Sequence, residues 1–144
     1  MSTYTPVASQ TLSAAASSIT FSNVPQDYTD LIIVLNGTTN DTGTNNLRLQ
    51  FNSDGGSNYS ATRLLGSGSA ASSARDSNNT YAMVGDIASS LFTSIIQINS
   101  YANPQMHKTV LSKTGNDNAY LGAYAAIWRS TDAINTINLA TNPA

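Results

Sequence analysis

A chain of 144 residues with 40% hydrophobic content has room for one domain with a buried core, yet only 10% of it is charged, against roughly 25% in an average soluble protein. The net charge is −2 and the six basic residues are scattered (Arg48, Arg63, Arg75, Lys108, Lys113, Arg129), which excludes a stripe that neutralises many phosphates. Cysteine is absent, which excludes a disulfide framework, a thiolate nucleophile and a cysteine metal site. Glutamate is absent too, and serine, threonine and asparagine make up about a third of the chain. Such a surface is polar without being charged. It suits a protein covered by identical neighbours, or one that must last outside a cell. Met1 to Pro6 lacks the basic residue and apolar core of a secretory signal, and no stretch approaches the ~18 apolar residues of a membrane span. The expectation is a protein without a membrane partner that leaves the cell, if it does, by lysis.

Short apolar runs rich in β-branched and aromatic residues recur between clusters of Asn, Gly, Asp, Ser and Pro. Tyr4 to Leu12 is interrupted by Pro6, so residues 1–12 are expected to be either an arm or an edge strand. Ser17 to Phe21 follows, then a turn at Val24 to Asp27. Leu31 to Leu35 is an unbroken apolar run and predicts a central strand buried on both faces, ending at Asn36-Gly37. Leu47 to Phe51 alternates, with Leu47, Leu49 and Phe51 inward. After the turn at Asn52 to Ser57, Tyr59 to Leu65 predicts another strand. Gly66 to Asn79 is almost free of large apolar residues and predicts a long surface loop.

Tyr81 to Val84 resumes strand character. Leu91 to Ile98 places Phe92, Ser94, Ile96 and Ile98 on one face and Ile95 on the other. His107 to Lys113, Tyr120 to Trp128 and Ile134 to Leu139 complete the set, with a hairpin turn at Gly115 to Asn118. Asp86 to Ser90 and Ser130 to Ile134 are the only helix candidates, one turn each. About ten strands with turn signals every eight to twelve residues predict a single all-β domain over 1–144, an antiparallel, jelly-roll-like β-sandwich.

No constellation for catalysis assembles. His107 is the single histidine, and no Gly-x-Ser-x-Gly elbow accompanies it. It reads as an ordinary surface or interface residue. The eight aspartates lie almost all in predicted turns, where the side chain bonds local backbone. Asp54-Gly55-Gly56 lacks the spacing of a calcium loop, and Gly66 to Ser69 lacks the Lys-Ser/Thr of a phosphate loop. No catalytic, cofactor or metal residue is assigned. Seven tyrosines and Trp128 leave open an aromatic sugar-binding face. Tyr120, Tyr124 and Trp128 share a parity, and packing against the core or a neighbouring subunit is the preferred reading.

Several blocks, in order along almost the whole chain, carry a resemblance. They are Ala8-Ser9-Gln10-Thr11-Leu12, Ile19-Thr20-Phe21-Ser22-Asn23-Val24-Pro25 and Tyr28-Thr29-Asp30-Leu31. Leu49-Gln50-Phe51-Asn52-Ser53-Asp54, Asn58-Tyr59-Ser60, Ala126-Ile127-Trp128 and Ile134-Asn135-Thr136-Ile137 follow. Together the blocks resemble small jelly-roll virion proteins of tailed bacteriophages. The resemblance implies a non-enzymatic structural role on the virion, foremost as a capsid decoration (cement) protein. Its partners would be the major capsid protein and itself, as a homotrimer at threefold positions of the shell. Met1 to Thr11 and Gly66 to Asn79 are the segments expected to meet the capsid. A tail-associated domain that binds a carbohydrate or host receptor is the alternative. Similar proteins continue past the equivalent of Asn142-Pro143 into a final strand, and completion of the sheet by a neighbour's strand is one way to read the difference.

Overall fold

Strand after strand follows in the computed structural model, which describes residues 4–40, 42–117 and 120–141 and contains no helix among them. The ten strands are β1 (Ser18–Ser22), β2 (Leu31–Gly37), β3 (Asn45–Phe51), β4 (Tyr59–Gly66), β5 (Ala71–Asn79), β6 (Ala82–Ile87), β7 (Phe92–Asn99), β8 (Lys108–Asn116), β9 (Leu121–Trp128) and β10 (Thr136–Thr141). They build a four-stranded sheet in the order β1-β10-β3-β6 and a six-stranded sheet in the order β2-β7-β8-β9-β4-β5. Every neighbouring pair is antiparallel. The sheets face each other across one core, so the chain is an antiparallel β-sandwich. The pairing is nested: β1 with β10, β3 with β6, β4 with β5. The β7–β8 hairpin stands between β2 and β9.

The strongest alternations in the sequence set the core. Leu47, Leu49 and Phe51 of β3 are buried, as are Ser94, Ile96 and Ile98 of β7 and Ile137 and Leu139 of β10. At one end of the sandwich Phe51, Tyr59 and Trp128 pack as a triad, with ring centroids 5.4 to 6.3 Å apart. The Tyr59 hydroxyl accepts from the Phe51 amide at 3.0 Å. Burial pushes its phenol up to about 12. The Trp128 indole donates to the Asp54 carboxylate at 2.6 Å, and that carboxylate also accepts from Asn58 Nδ2 and the Gly56 amide. The β3–β4 turn is therefore pinned to the core.

Asn52 takes a left-handed backbone (φ 52°), a conformation asparagine tolerates. Its side chain donates to Ala133 O and accepts from the amides of Asn135 and Thr136. Lys108 is fully buried and its ammonium donates to the carbonyls of Asn103, Met106 and Thr131, at 2.6, 2.7 and 3.0 Å. Burial holds its pKa below the usual lysine value. It ties the β7–β8 connection to the β9–β10 connection.

Four expectations need correction. Leu31 to Leu35 is not a central strand: β2 is an edge of the six-stranded sheet, and its burial alternates, with Ile32 and Val34 exposed. An unbroken apolar run signals apolar residues on both faces, and here the second face has nothing packed on it. Gly66 to Asn79 is not a loop: Ala71 to Asn79 form β5, paired along β4, with a short connection at Ser67 to Ala70. An edge strand with little to bury needs no large side chains, so hydrophobic pattern cannot reveal it. Residues 4–17 form an exposed arm rather than a strand, with Val7 to Gln10 lying over the gap between β1 and β2. The proposed helical turns are absent, since Asp86 belongs to β6 and Ser130 to Ile134 is irregular. Asn118 and Asn142 to Ala144, on which the hairpin turn and the last-strand reading partly rest, lie outside the described residues.

Candidate functional site

The residues that might have carried chemistry are dispersed or structurally occupied. His107 is exposed in the connection just before β8. Arg48 lies on the outer face of the four-stranded sheet, its guanidinium 4.1 Å from the Tyr81 ring centroid. Arg63 points inward, 3.8 Å from the Asp76 carboxylate and in contact with Met83 Sδ. Arg129 donates to Ser60 Oγ, Ser57 O and Asn78 Oδ1, which holds the β4–β5 bulge. Tyr124 is buried beside Asp86, and burial, with that carboxylate's charge, raises its phenol well above the ordinary value. No group of three or more His, Cys, Asp or Glu that could hold a metal ion occurs among the described residues.

The aromatic residues do not form a sugar platform. Trp128, Tyr59, Tyr101 and Tyr124 are buried. Tyr124 and Trp128 do share the packed face expected from their parity. Tyr120 precedes β9 and is exposed. Tyr28 is exposed at the opposite end of the six-stranded sheet, between β1 and β2.

The outer face of the six-stranded sheet is different in kind. Cross-strand pairing aligns Val34, Ile95, Lys113, Ala123, Leu64 and Ser73 in one row across all six strands. The adjacent row is Ile32, Gln97, Leu111, Ala125, Thr62 and Arg75. Val34 and Leu64 are each 62% exposed, Ile95 50%, Leu111 52% and Leu121 69%. These large apolar side chains stand on β2, β7, β8, β9 and β4, so the patch is continuous across strands. Part of it is hollowed into an open depression of about 900 Å³ whose lining includes Leu64, Ile95, Lys113, Leu121 and Ala123. Lys113 and Arg75 are the charges on the face's strands, and no carboxylate faces outward with them.

Monomeric soluble proteins rarely leave a large contiguous apolar patch in water. The arrangement has no group to polarise a bond, but it can bury apolar surface against a flat partner. The signal was present in the sequence as Ile95 out of phase with the rest of β7 and as the unbroken run in β2. Reading it required knowing that the protein has two layers and not three. Compared with known proteins, the chain matches no family model, no curated protein and no solved structure.

Proposed function

We propose that this chain is a non-enzymatic structural protein of a tailed-bacteriophage particle, and within the particle a capsid decoration protein. Copies associate, as trimers at threefold positions, and bridge neighbouring subunits of the major capsid protein. The observation that carries the reading is the apolar outer face of the six-stranded sheet, in a chain whose charged content is only 10%. A surface of that kind functions by being covered.

Two further features support it. The nested pairing of β1 with β10, β3 with β6 and β4 with β5 accords with a jelly-roll-like module. The blocks behind the phage resemblance meet in space: Phe51, Asp54, Asn58, Tyr59 and Trp128 form the pinned aromatic end of the core. They hold the fold together, which is how recurrent blocks behave in a family whose role is mechanical. The exposed arm of residues 4–17 is a second segment that a shell would order.

The test is the copy number of this chain relative to the major capsid protein, by quantitative mass spectrometry of purified particles. A ratio near one to one is expected. A ratio of a few per cent would move the protein to the tail, and its absence from particles would overturn the reading.

A further inference from the structure

The partner that covers the outer face of the six-stranded sheet is open to question, and the face itself carries the argument. We infer that its occupant is a second copy of this chain, with copies packing so that their six-stranded sheets turn toward a common axis. The inference rests on the assembly reading above and names the surface and partner that the reading leaves open.

Size is the first argument. Six strands about 4.8 Å apart span roughly 24 Å, and strands of this length run about 20–30 Å. The face therefore offers roughly 500–700 Å², close to the ~800 Å² per partner of a stable interface. Crystal-contact or encounter-sized patches are smaller. Composition is the second. Val34, Ile95, Leu111, Leu64 and Leu121 give a centre without charge pairs, and Ser, Thr, Gln and Asn surround it. That is an apolar core with a polar rim, the anatomy of an interface between like subunits.

Electrostatics is the third. A partner chosen by charge would be met by a cluster of one sign, and this face has one central cation, Lys113, with Arg75 toward the β5 edge. A lysine stem lies along apolar surface while its head reaches the rim, so two copies can meet without burying their ammoniums. The same molecule supplies a contrast. The outer face of the four-stranded sheet is made of Ser18, Thr20, Ser22, Asn138, Gln50 and Arg48, and needs no cover.

The experiment is the solution mass of the full chain by light scattering and sedimentation across the micromolar range. The expected mass is two or three times the 15.1 kDa of one chain. Leu111→Asp and, on a different strand, Ile95→Asp should each weaken association about 30-fold or more, since a carboxylate would be buried without a partner. Thr20→Asp on the other sheet should leave the mass unchanged, and near-UV circular dichroism checks that all three remain folded. An oligomer that survives both outer-face variants overturns the inference while leaving an assembly protein that uses another surface. A monomer at every concentration also overturns it. If Leu111→Asp then fails to add back to stripped capsids, the face belongs to the major capsid protein; if it adds back normally, the assembly reading loses its carrying observation as well.

Discussion

Thr20, Asn138 and Gln50 stand side by side across β1, β10 and β3, and each ends in a polar group with a partner. Asn138 donates to Thr20 Oγ1 at 2.8 Å, and Gln50 donates to the carbonyls of Asp54 and Thr80. Val34, Ile95 and Leu64 stand in the equivalent place on the other sheet and end in methyl groups exposed to solvent. Both sheets bury their inner faces in one core, so folding alone does not explain why their outer faces differ. The four-stranded sheet is finished for water. The six-stranded sheet is finished for contact. A hydrophobic pattern therefore reports two different things in this protein, and neighbouring residues of one strand can serve each.

Adjacent positions on β7 sharpen that comparison most. Ile96 is fully buried, and Ile96→Ala should cost about 2–5 kcal/mol in urea unfolding. Ile95→Ala, one residue away on the outer face, should cost under about 1 kcal/mol under conditions that keep the chain monomeric. Equal costs would break the distinction between core and contact surface.

Lys108→Met removes the ammonium that serves the carbonyls of Asn103, Met106 and Thr131. Each buried acceptor left without a donor carries a penalty, so a loss of about 2–4 kcal/mol is expected in thermal or urea unfolding. The oligomer mass below the transition should not change, because the clasp lies inside the sandwich. A change in mass with no loss of stability would show that the β7–β8 and β9–β10 connections take part in assembly.

Asp54→Asn should cost about 1–2 kcal/mol, by weakening the charge-assisted bond from Trp128. The indole bond is the main cause of the lowered Asp54 pKa, with Asn58 and the Gly56 amide contributing in the same direction against desolvation. A carboxyl whose folded pKa lies below its unfolded value contributes stability that is fully present above the unfolded value. That contribution is lost as pH falls through the folded value. Wild-type unfolding midpoints should therefore drop on acidification below about pH 4 more than those of Asp54→Asn. Parallel acid profiles would remove Asp54 as the cause.

Tyr59 gives the smallest effect. Its phenol is raised to about 12 by burial, so the associated stability is present below about pH 10 and fades as pH rises toward the folded value. The ultraviolet absorbance titration of Tyr59→Phe should lack one late-titrating phenol relative to wild type, and an unchanged titration would contradict the assignment.

Much of the fold was legible because β3, β7 and β10 alternate cleanly and their turns carry Asn, Asp and Gly. What escaped shares one physical cause. Ala71 to Asn79 has no large apolar side chain, and its place at the sheet's edge is fixed by pairing with β4, a long-range backbone fact. Leu31 to Leu35 misled for the opposite reason, since Ile32 and Val34 look like core until the second layer over them proves to be missing. The candidate surface was visible only as residues out of phase. Val34, Ile95, Leu111 and Leu64 come from four strands, and only the register between β2, β7, β8, β9 and β4 assembles them.

The most direct test joins the surface to the proposed role. Particles would be assembled with an equal mixture of wild type and a variant, and incorporation read by mass spectrometry, for Ile95→Asp and for Thr20→Asp in turn. The account predicts that Ile95→Asp is depleted from particles by about 10-fold or more while Thr20→Asp is incorporated like wild type. Equal incorporation of both would contradict the claim that the outer face of the six-stranded sheet is the surface through which this protein works.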